Sequence, residues 1–345
     1  MQVYDGSRGE GGGAILRLVT SLALVKQEPV KVINIRKKRS NPGLRTQHLI
    51  GLRTLANLCG GVLEGDSLGS DTIIFRPAKN WTSNLKVNIS TAGSIGLVLQ
   101  SLQVGILGAK NHFFNVSFEG GATFGKWAPT LVYIDNITWD IFRQMNFELN
   151  LSILRHGFFP KGGAQVTAEI HTPTRLIGLK LESFEQPSDA NIISIASKHL
   201  QKARVAERQS KTIQKKLNGN NFRSIIKNEY VDADNPGSGV LIYSKLKNGN
   251  RIGGDFIGER KLPAEKVGLN AFDRYNTTIM NQCTVDSFLA DQILPILALA
   301  SSSSVFTTPF ISNHTQTNIN LLQDMLDVEI TVEKLERGFK IAIDV

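Results

Sequence analysis

Apolar residues recur along the chain with two periods, and the exchange between them marks out most of its elements. Short alternating or β-branched runs predict strands over residues 30–35, 62–64, 72–75, 85–89, 113–118, 149–154 and 164–170. Apolar positions at helical spacing predict helices over 14–24, 47–59, 95–107 and 131–144. Val3-Tyr4 opens the series as a short strand running into glycines. Twice the chain passes from strand through a glycine turn into an apolar helix, at Gly11-Gly12-Gly13 and at Thr91-Ala92-Gly93-Ser94. That recurrence predicts an α+β (α/β) core of repeated units, strand pairs covered by helix pairs.

The pattern shifts after Thr172-Pro173-Thr174. Residues 191–217 read as one long amphipathic helix, with Ile192, Ile193, Ile195, Ala196, Leu200 and Val205 inward. Its outward face would carry Lys198, Lys202, Arg204, Arg208, Lys211, Lys215 and Lys216. Strands are expected over 239–246 and 251–257. This block reads as a small α+β domain set into the core. The core pattern then resumes: a helix over 271–300, a strand at Phe306-Thr307, a polar loop with His314, a helix over 317–326, and strands over 328–332 and 339–343.

Composition narrows the class. At 345 residues, two domains are the default. A hydrophobic content of 41% with 20% charged residues describes a globular chain able to bury a sizeable core. Cys59 and Cys283 are too few for a disulfide framework or a zinc site, and both are expected to be buried. Neither a secretion signal nor an apolar run long enough to span a membrane is present, so the expected setting is cytoplasmic, with no membrane partner. The formal net charge of +9 points to an anionic partner. Residues 1–60 hold 10 Lys/Arg against 3 Asp/Glu, and residues 175–274 hold 18 against 11, so the charge is concentrated in two blocks.

Candidate chemistry gathers in the first block and near the C-terminus. A glycine loop opening a helix is either a tight structural turn or an anion trap of backbone N–H groups at a positive helix end. Glu10 is out of place beside an anion unless a cation lies between, which makes it a candidate ligand for Mg²⁺ or Mn²⁺. Arg17, Arg36 and Arg39 lie close to the loop in sequence, and guanidinium groups suit phosphate; a solvated charge run is the plainer alternative. His314 sits among hydroxyl and amide side chains after an apolar run, where a neutral imidazole could act as a nucleophile. Asp291-Gln292 interrupts an apolar helix and needs partners if buried.

Taken together these segments resemble the RNA 3′-terminal phosphate cyclase family. The likeness runs nearly end to end. It is carried by Asp5-Gly6-Ser7-Arg8-Gly9-Glu10-Gly11-Gly12-Gly13 with Ile15-Leu16-Arg17, by Pro42-Gly43-Leu44 with Gln47-His48-Leu49, and by Thr91-Ala92-Gly93-Ser94 with Leu97-Val98-Leu99-Gln100. It continues through Arg155-His156-Gly157-Phe158-Phe159-Pro160, Leu289-Ala290-Asp291-Gln292, and His314 with Thr317-Asn318. The resemblance implies three repeats, each of two helices on a four-stranded sheet, formed by residues 1–176 and 277–345. A smaller α+β domain would be inserted at 177–276. It implies ATP and Mg²⁺ or Mn²⁺ as cofactors, and as partner an RNA ending in a 3′-phosphate. His314 would be the nucleophile that takes up AMP, and Asp291 the family's essential acid, either orienting the imidazole or helping with the metal and adenylate. Arg17, Arg36 and Arg39 would hold the RNA terminal phosphate, and Glu10 the metal. Gln100, Pro129, Phe288, Gln292 and Asn318, with Asp291, would line the nucleotide pocket.

Departures from the family pattern are local. Ala14 replaces a common glutamine, Ala164 a glycine, and Phe288 a usual tyrosine, which keeps a stacking ring and loses a hydroxyl. Two other functions share this architecture: a non-catalytic RNA-binding factor of ribosome assembly, and an enolpyruvyl transferase. The first would lack the nucleophile, whereas His314 and Glu10 are both present; the second shares only the repeat.

Overall fold

The computed structural model describes residues 1–218 and 222–345. In the first repeat the chain runs β1 (Gln2–Asp5), α1 (Gly13–Lys26), β2 (Val30–Ile33), α2 (Thr46–Cys59), β3 (Val62–Glu64) and β4 (Ile73–Arg76). The second runs β5 (Asn84–Ser94), α3 (Ile95–Gly105), β6 (Phe113–Ala122), α4 (Leu131–Tyr133), a π-helical turn (Ile134–Thr138), α5 (Trp139–Gln144), β7 (Glu148–Arg155) and β8 (Gln165–His171). Strand β9 (Lys180–Leu181) then precedes a fourth unit: β10 (Asp189–Ser197), α6 (Val205–Asn218), β11 (Arg223–Val231), β12 (Ser238–Lys245), β13 (Arg251–Ile257) and α7 (Ala264–Met280). The chain closes with α8 (Ser287–Leu297), β14 (Ser304–Thr308), α9 (Asn313–Met325), β15 (Glu329–Lys334) and β16 (Phe339–Asp344).

The same sheet is built three times. Its orders are β1-β2-β4-β3, β5-β6-β8-β7 and β9-β14-β16-β15. In each, the first pair is parallel and the other two pairs are antiparallel. A parallel pair requires a crossover, and a helix supplies it each time. In the third repeat that crossover also carries the fourth sheet, ordered β11-β10-β12-β13. One apolar core joins the three repeats, with Leu22, Phe75, Phe118, Trp139, Phe306 and Ile341 fully buried in it. The fourth sheet has its own cluster, including Ile192, Ile213, Ile242, Phe272 and Tyr275. Strand β9 falls within 177–276 but pairs with β14, so residues 180–181 belong to a core sheet. Both cysteines are buried and free. Among the described residues no helix is long and apolar enough to cross a membrane.

Four expectations about elements are corrected. Residues 191–197 are strand, not helix: β10 is flanked by β11 and β12, and three β-branched isoleucines suit that pleated, buried setting. The basic helix begins only at Val205. Strand β11 escaped notice because it is an edge strand with little buried apolar surface to give a period. The expected 271–300 helix is two helices. The chain breaks after Met280, passes through Gln282 in the left-handed region (φ 54°), and restarts where the Asp286 carboxylate caps the N–H groups of Phe288 and Leu289. The Thr91–Ser94 turn proves to be the end of β5, with a register shift between Ile89 and Ser94.

Gly120 and Gly121 end β6 with φ of 82° and 74° and aim the following loop toward the site. A Cβ on Gly120 would run into the carbonyl oxygen of Ile89 on the paired strand. Gly120→Ala is therefore expected to cost at least about 2 kcal/mol, from left-handed strain plus a backbone clash. Urea denaturation of the two proteins checks this, and a loss below about 0.5 kcal/mol would show that the strand pair gives way easily.

Candidate active site

A cavity of about 550 Å³ lies where the three repeats and the inserted unit meet. Arg17 comes from α1, Gln100 from α3, Pro129 from the loop before α4, and Phe288, Asp291 and Gln292 from α8. The inserted unit adds Phe256 from β13 and Arg274 from α7, while α9 adds His314 and Asn318. Eight of the residues singled out in the sequence thus share one cavity. The same three-sheet pattern explains their convergence: it brings helices of different repeats together, α1 packing against α3 and α9, and α3 against α8.

His314 is not in a loop. Ser312 caps α9, its hydroxyl accepting from the Thr315 N–H at 2.9 Å, so His314 belongs to the first helical turn. Its side chain is exposed. Asp291 faces this turn from α8 and accepts hydrogen bonds from the hydroxyls of Ser312 (2.9 Å) and Thr315 (2.5 Å). The Asn318 amide donates to the Asp291 carbonyl at 2.9 Å. Burial raises the Asp291 carboxyl above its ordinary range, while the two hydroxyls and the charge of His314 oppose that rise. Gln292 is anchored as well: it donates to the Phe288 carbonyl at 3.0 Å and accepts from the Thr138 hydroxyl at 2.9 Å, Thr138 being the last residue of the π turn.

One wall is aromatic and cationic. The Arg274 guanidinium lies 4.5 Å from the centre of the Phe288 ring and 4.8 Å from that of Phe256. It donates to the Asp255 carbonyl at 2.8 Å and pairs with the Asp255 carboxylate at 3.4 Å. Burial raises the Asp255 carboxyl in spite of that arginine. Behind this wall the Tyr133 hydroxyl donates to the buried Asp286 carboxylate at 2.7–2.8 Å. None of Arg274, Phe256, Tyr133 and Asp286 was signalled by the sequence: only the folded chain brings Phe256 of β13 and Arg274 of α7 to the core, and Tyr133 to Asp286, 153 residues later.

The glycine loop forms the second part of the site. Gly9 and Gly11 have φ of 51° and 62°, and Gly12, the N-cap of α1, has no side chain with which to cap the helix. Glu10 turns back to accept from the Ala14 N–H at 3.3 Å and forms an ion pair with Arg39. Its own N–H donates to the Thr317 hydroxyl of α9 at 3.2 Å, tying the loop to the helix of His314. A Cβ on Gly12 would meet Glu10 and Arg39; one on Gly13 would meet His48 and Arg17. Those four side chains therefore converge on the glycine pair. Arg36 joins them, its guanidinium donating to the carbonyls of Asn41 (2.6 Å) and Gly43 (3.1 Å). Burial lowers Arg17 to about 10, with Glu10 opposing. Burial and repulsion from Arg45 and Arg39 lower Arg36. His48 and Arg45 complete the cluster without having been predicted, although His48 lies in a segment that carries the resemblance. Burial and the charges of Arg17, Arg36 and Arg45 press His48 down to about 3, so its ring is neutral near pH 7. Its Nδ1 accepts from the Arg45 N–H at 3.1 Å, which leaves the proton on Nε2, the atom nearest Gly13.

As donors for a divalent cation these groups are sparse. Among the described residues no three His, Cys, Asp or Glu side chains cluster. One carboxylate, Glu10, fits Mg²⁺ held mostly by water and substrate phosphates, which is the habit of that ion.

A glycine-capped helix end ringed by guanidinium groups, beside an apolar cavity with an exposed imidazole, is chemically suited to a phosphorylated, partly apolar ligand. Comparison with known sequences agrees with that class. The family profile described as RNA 3′-terminal phosphate cyclase matches residues 8–332. The RNA 3′-terminal phosphate cyclase of Methanosarcina barkeri is 36% identical over 343 residues, covering 99% of this chain and 100% of its own. That of Pyrococcus furiosus is 37% identical over 320 residues (92% and 91%), and that of Methanothermobacter thermautotrophicus 35% over 348 (100% of both). The chain belongs to the RNA 3′-terminal phosphate cyclase family.

Asp286 offers a pH test of the buried wall. Burial pushes it up to about 6 from 3.8, so the folded chain holds that proton more tightly than the unfolded one. Its contribution to stability is then largest at low pH, declines as pH rises from about 4 to about 6, and stays low above. Asp286→Asn can still cap α8 but does not titrate. The melting temperature of wild type minus that of the variant is expected to fall across this window. A difference independent of pH would show that Asp286 ionises normally.

Proposed function

We propose that the chain is an ATP-dependent RNA 3′-terminal phosphate cyclase in which His314 carries AMP covalently. The observation that carries this reading is an exposed imidazole on the wall of a nucleotide-sized cavity, with Asp291 fixing its helical turn and the arginine-ringed glycine loop tied to the same helix. A ring nitrogen of His314 attacks the α-phosphorus of ATP; the new P–N bond forms as the bond to pyrophosphate breaks, and pyrophosphate leaves. An oxygen of the RNA 3′-phosphate then attacks the same phosphorus, the P–N electron pair returns to the ring, and AMP passes to the RNA. The neighbouring 2′-hydroxyl attacks the 3′-phosphorus and loses its proton. AMP departs, leaving a 2′,3′-cyclic phosphate.

The chain's own groups serve these steps in distinct ways. Asp291 holds the Ser312–Thr315 turn and so the direction of the imidazole. Arg17, Arg36 and Arg39 hold phosphate oxygens; charge that develops on phosphorus is stabilised mainly by such fixed cations. Phe288, Pro129, Gln100, Gln292 and Asn318 hold the nucleotide. Glu10 would hold Mg²⁺ or Mn²⁺, which when bound supplies charge neutralisation at the phosphates.

Incubation with α-labelled ATP and Mg²⁺ is expected to give an acid-labile, base-stable protein–AMP adduct; no adduct would rule out the covalent route. His314→Ala is expected to abolish labelling with the fold intact, and full labelling in that variant would move the role elsewhere. Arg39→Ala is expected to lower use of RNA 3′-phosphate at least tenfold more than self-adenylylation, in line with about 1.5–3 kcal/mol for a hydrogen bond to a charged group. Equal loss in both reactions would contradict an RNA contact at Arg39.

A further inference from the structure

The loop between β6 and α4 presents an indole to water at the rim of the cavity. Trp127 is 95% exposed, and its backbone is in the left-handed region, φ 56°. That conformation is unfavourable for a bulky residue, and hydrophobic energy is forgone by leaving the ring wet. The loop is nevertheless firmly held. The Thr123 N–H donates to the Gly157 carbonyl at 3.0 Å, and the Phe124 ring stacks on Phe158 with centroids 5.1 Å apart. The Lys126 ammonium lies 5.0 Å from the centre of the Phe159 ring, itself 57% exposed, and 3.1 Å from Glu259 of the inserted unit. Exposed Arg260 and Lys261 follow Glu259, and exposed Lys161 follows the Phe159-Pro160 pair. Two wet aromatic rings, Trp127 next to Lys126 in the chain and Phe159 under the Lys126 ammonium, thus stand beside the site with more exposed cations following in sequence. Neither ring serves the core.

We infer that Trp127 and Phe159, together with Lys126, form a stacking platform for unpaired bases of the RNA strand adjoining its 3′ end. The inference rests on RNA being the substrate. A mononucleotide seated in the cavity would face Phe288, Phe256 and His314, whereas an indole standing 95% in solvent serves a ligand that extends past the rim. The chemistry also selects a polyanion with flat apolar faces: bases for the rings and phosphates for Lys126, Lys161, Arg260 and Lys261. Stacking of this kind tolerates any base, so the platform recognises single-strandedness and length.

Trp127 provides its own probe. Of the three tryptophans, Trp139 is buried and Trp81 is half-buried, packed 6.1 Å from Phe114. Adding a single-stranded RNA oligonucleotide with a 3′-phosphate, without ATP, is expected to quench the exposed emission, and Trp127→Phe to abolish the quench. In the full reaction Trp127→Ala is expected to raise KM for the oligonucleotide by about tenfold, within the range for loss of one base–aromatic stack. Trp127→Phe is expected to recover most of that loss, and labelling by ATP to change less than twofold in both variants. An unaltered oligonucleotide KM in Trp127→Ala, or a parallel loss of ATP labelling, would overturn the platform. Quenching by RNA in a wild-type protein that never labels with ATP would instead remove the cyclase reading and leave the platform standing.

Discussion

The site depends on one carboxylate that reaches across two helices. Asp291 is partly withdrawn from water, and a charge so placed is costly unless its oxygens are satisfied. Here the Ser312 and Thr315 hydroxyls satisfy them, and those same hydroxyls build the cap of α9. Each hydrogen bond to a charged group contributes about 1.5–3 kcal/mol, enough to offset much of the desolvation. The bonds that stabilise Asp291 therefore fix the first turn of α9, and with it the direction of His314. Positioning of the candidate nucleophile and satisfaction of a half-buried acid are one interaction.

The glycine loop is subject to a related constraint. It gathers Arg17, Arg36, Arg39 and Arg45 around the end of α1, a set of like charges with a single acid, Glu10, against it. Such a cluster is tolerable because Glu10 pairs with Arg39, the Arg36 guanidinium binds carbonyls, and His48 stays neutral among its cationic neighbours. What repulsion remains favours a bound anion, since phosphate would relieve it. The hydrogen bond from Glu10 to Thr317 joins this cradle to α9, so the parts proposed to hold phosphate and to attack it share one frame.

The inserted unit is a wall of the cavity as well as an appendage of the core. Arg274, held by Asp255 and lying against Phe256, reaches the Phe288 ring of α8, and Asp286 accepts from both Tyr133 of the second repeat and the Gly253 N–H of the insert, at 3.3 Å for the latter. A crossover connection that could have been a bare helix thus contributes to the pocket. Its helix α6 is basic, yet Arg208 is engaged with Glu265 of α7, so part of that charge is structural.

Periodicity in the chain determined the repeated strand–helix units, because alternation and helical spacing are local properties that burial imposes on each segment. Residue type singled out Glu10 in a glycine loop, Arg17 and Asp291 in apolar helices, Arg36 and Arg39 in a basic run, and His314 among hydroxyl and amide side chains. Where local pattern was ambiguous it misled: Ile192, Ile193 and Ile195 suit a helix face or a buried strand equally, and only pairing with β11 and β12 decides for the strand. The local Ser312–Thr315 cap makes His314 part of a helix, whereas tertiary structure alone supplied the partner that fixes that turn, Asp291, 21 residues before Ser312. It alone brought Arg45, His48, Phe256 and Arg274 to the site, because their approach depends on how separate sheets pack, and no pattern within a segment records the neighbour it will meet.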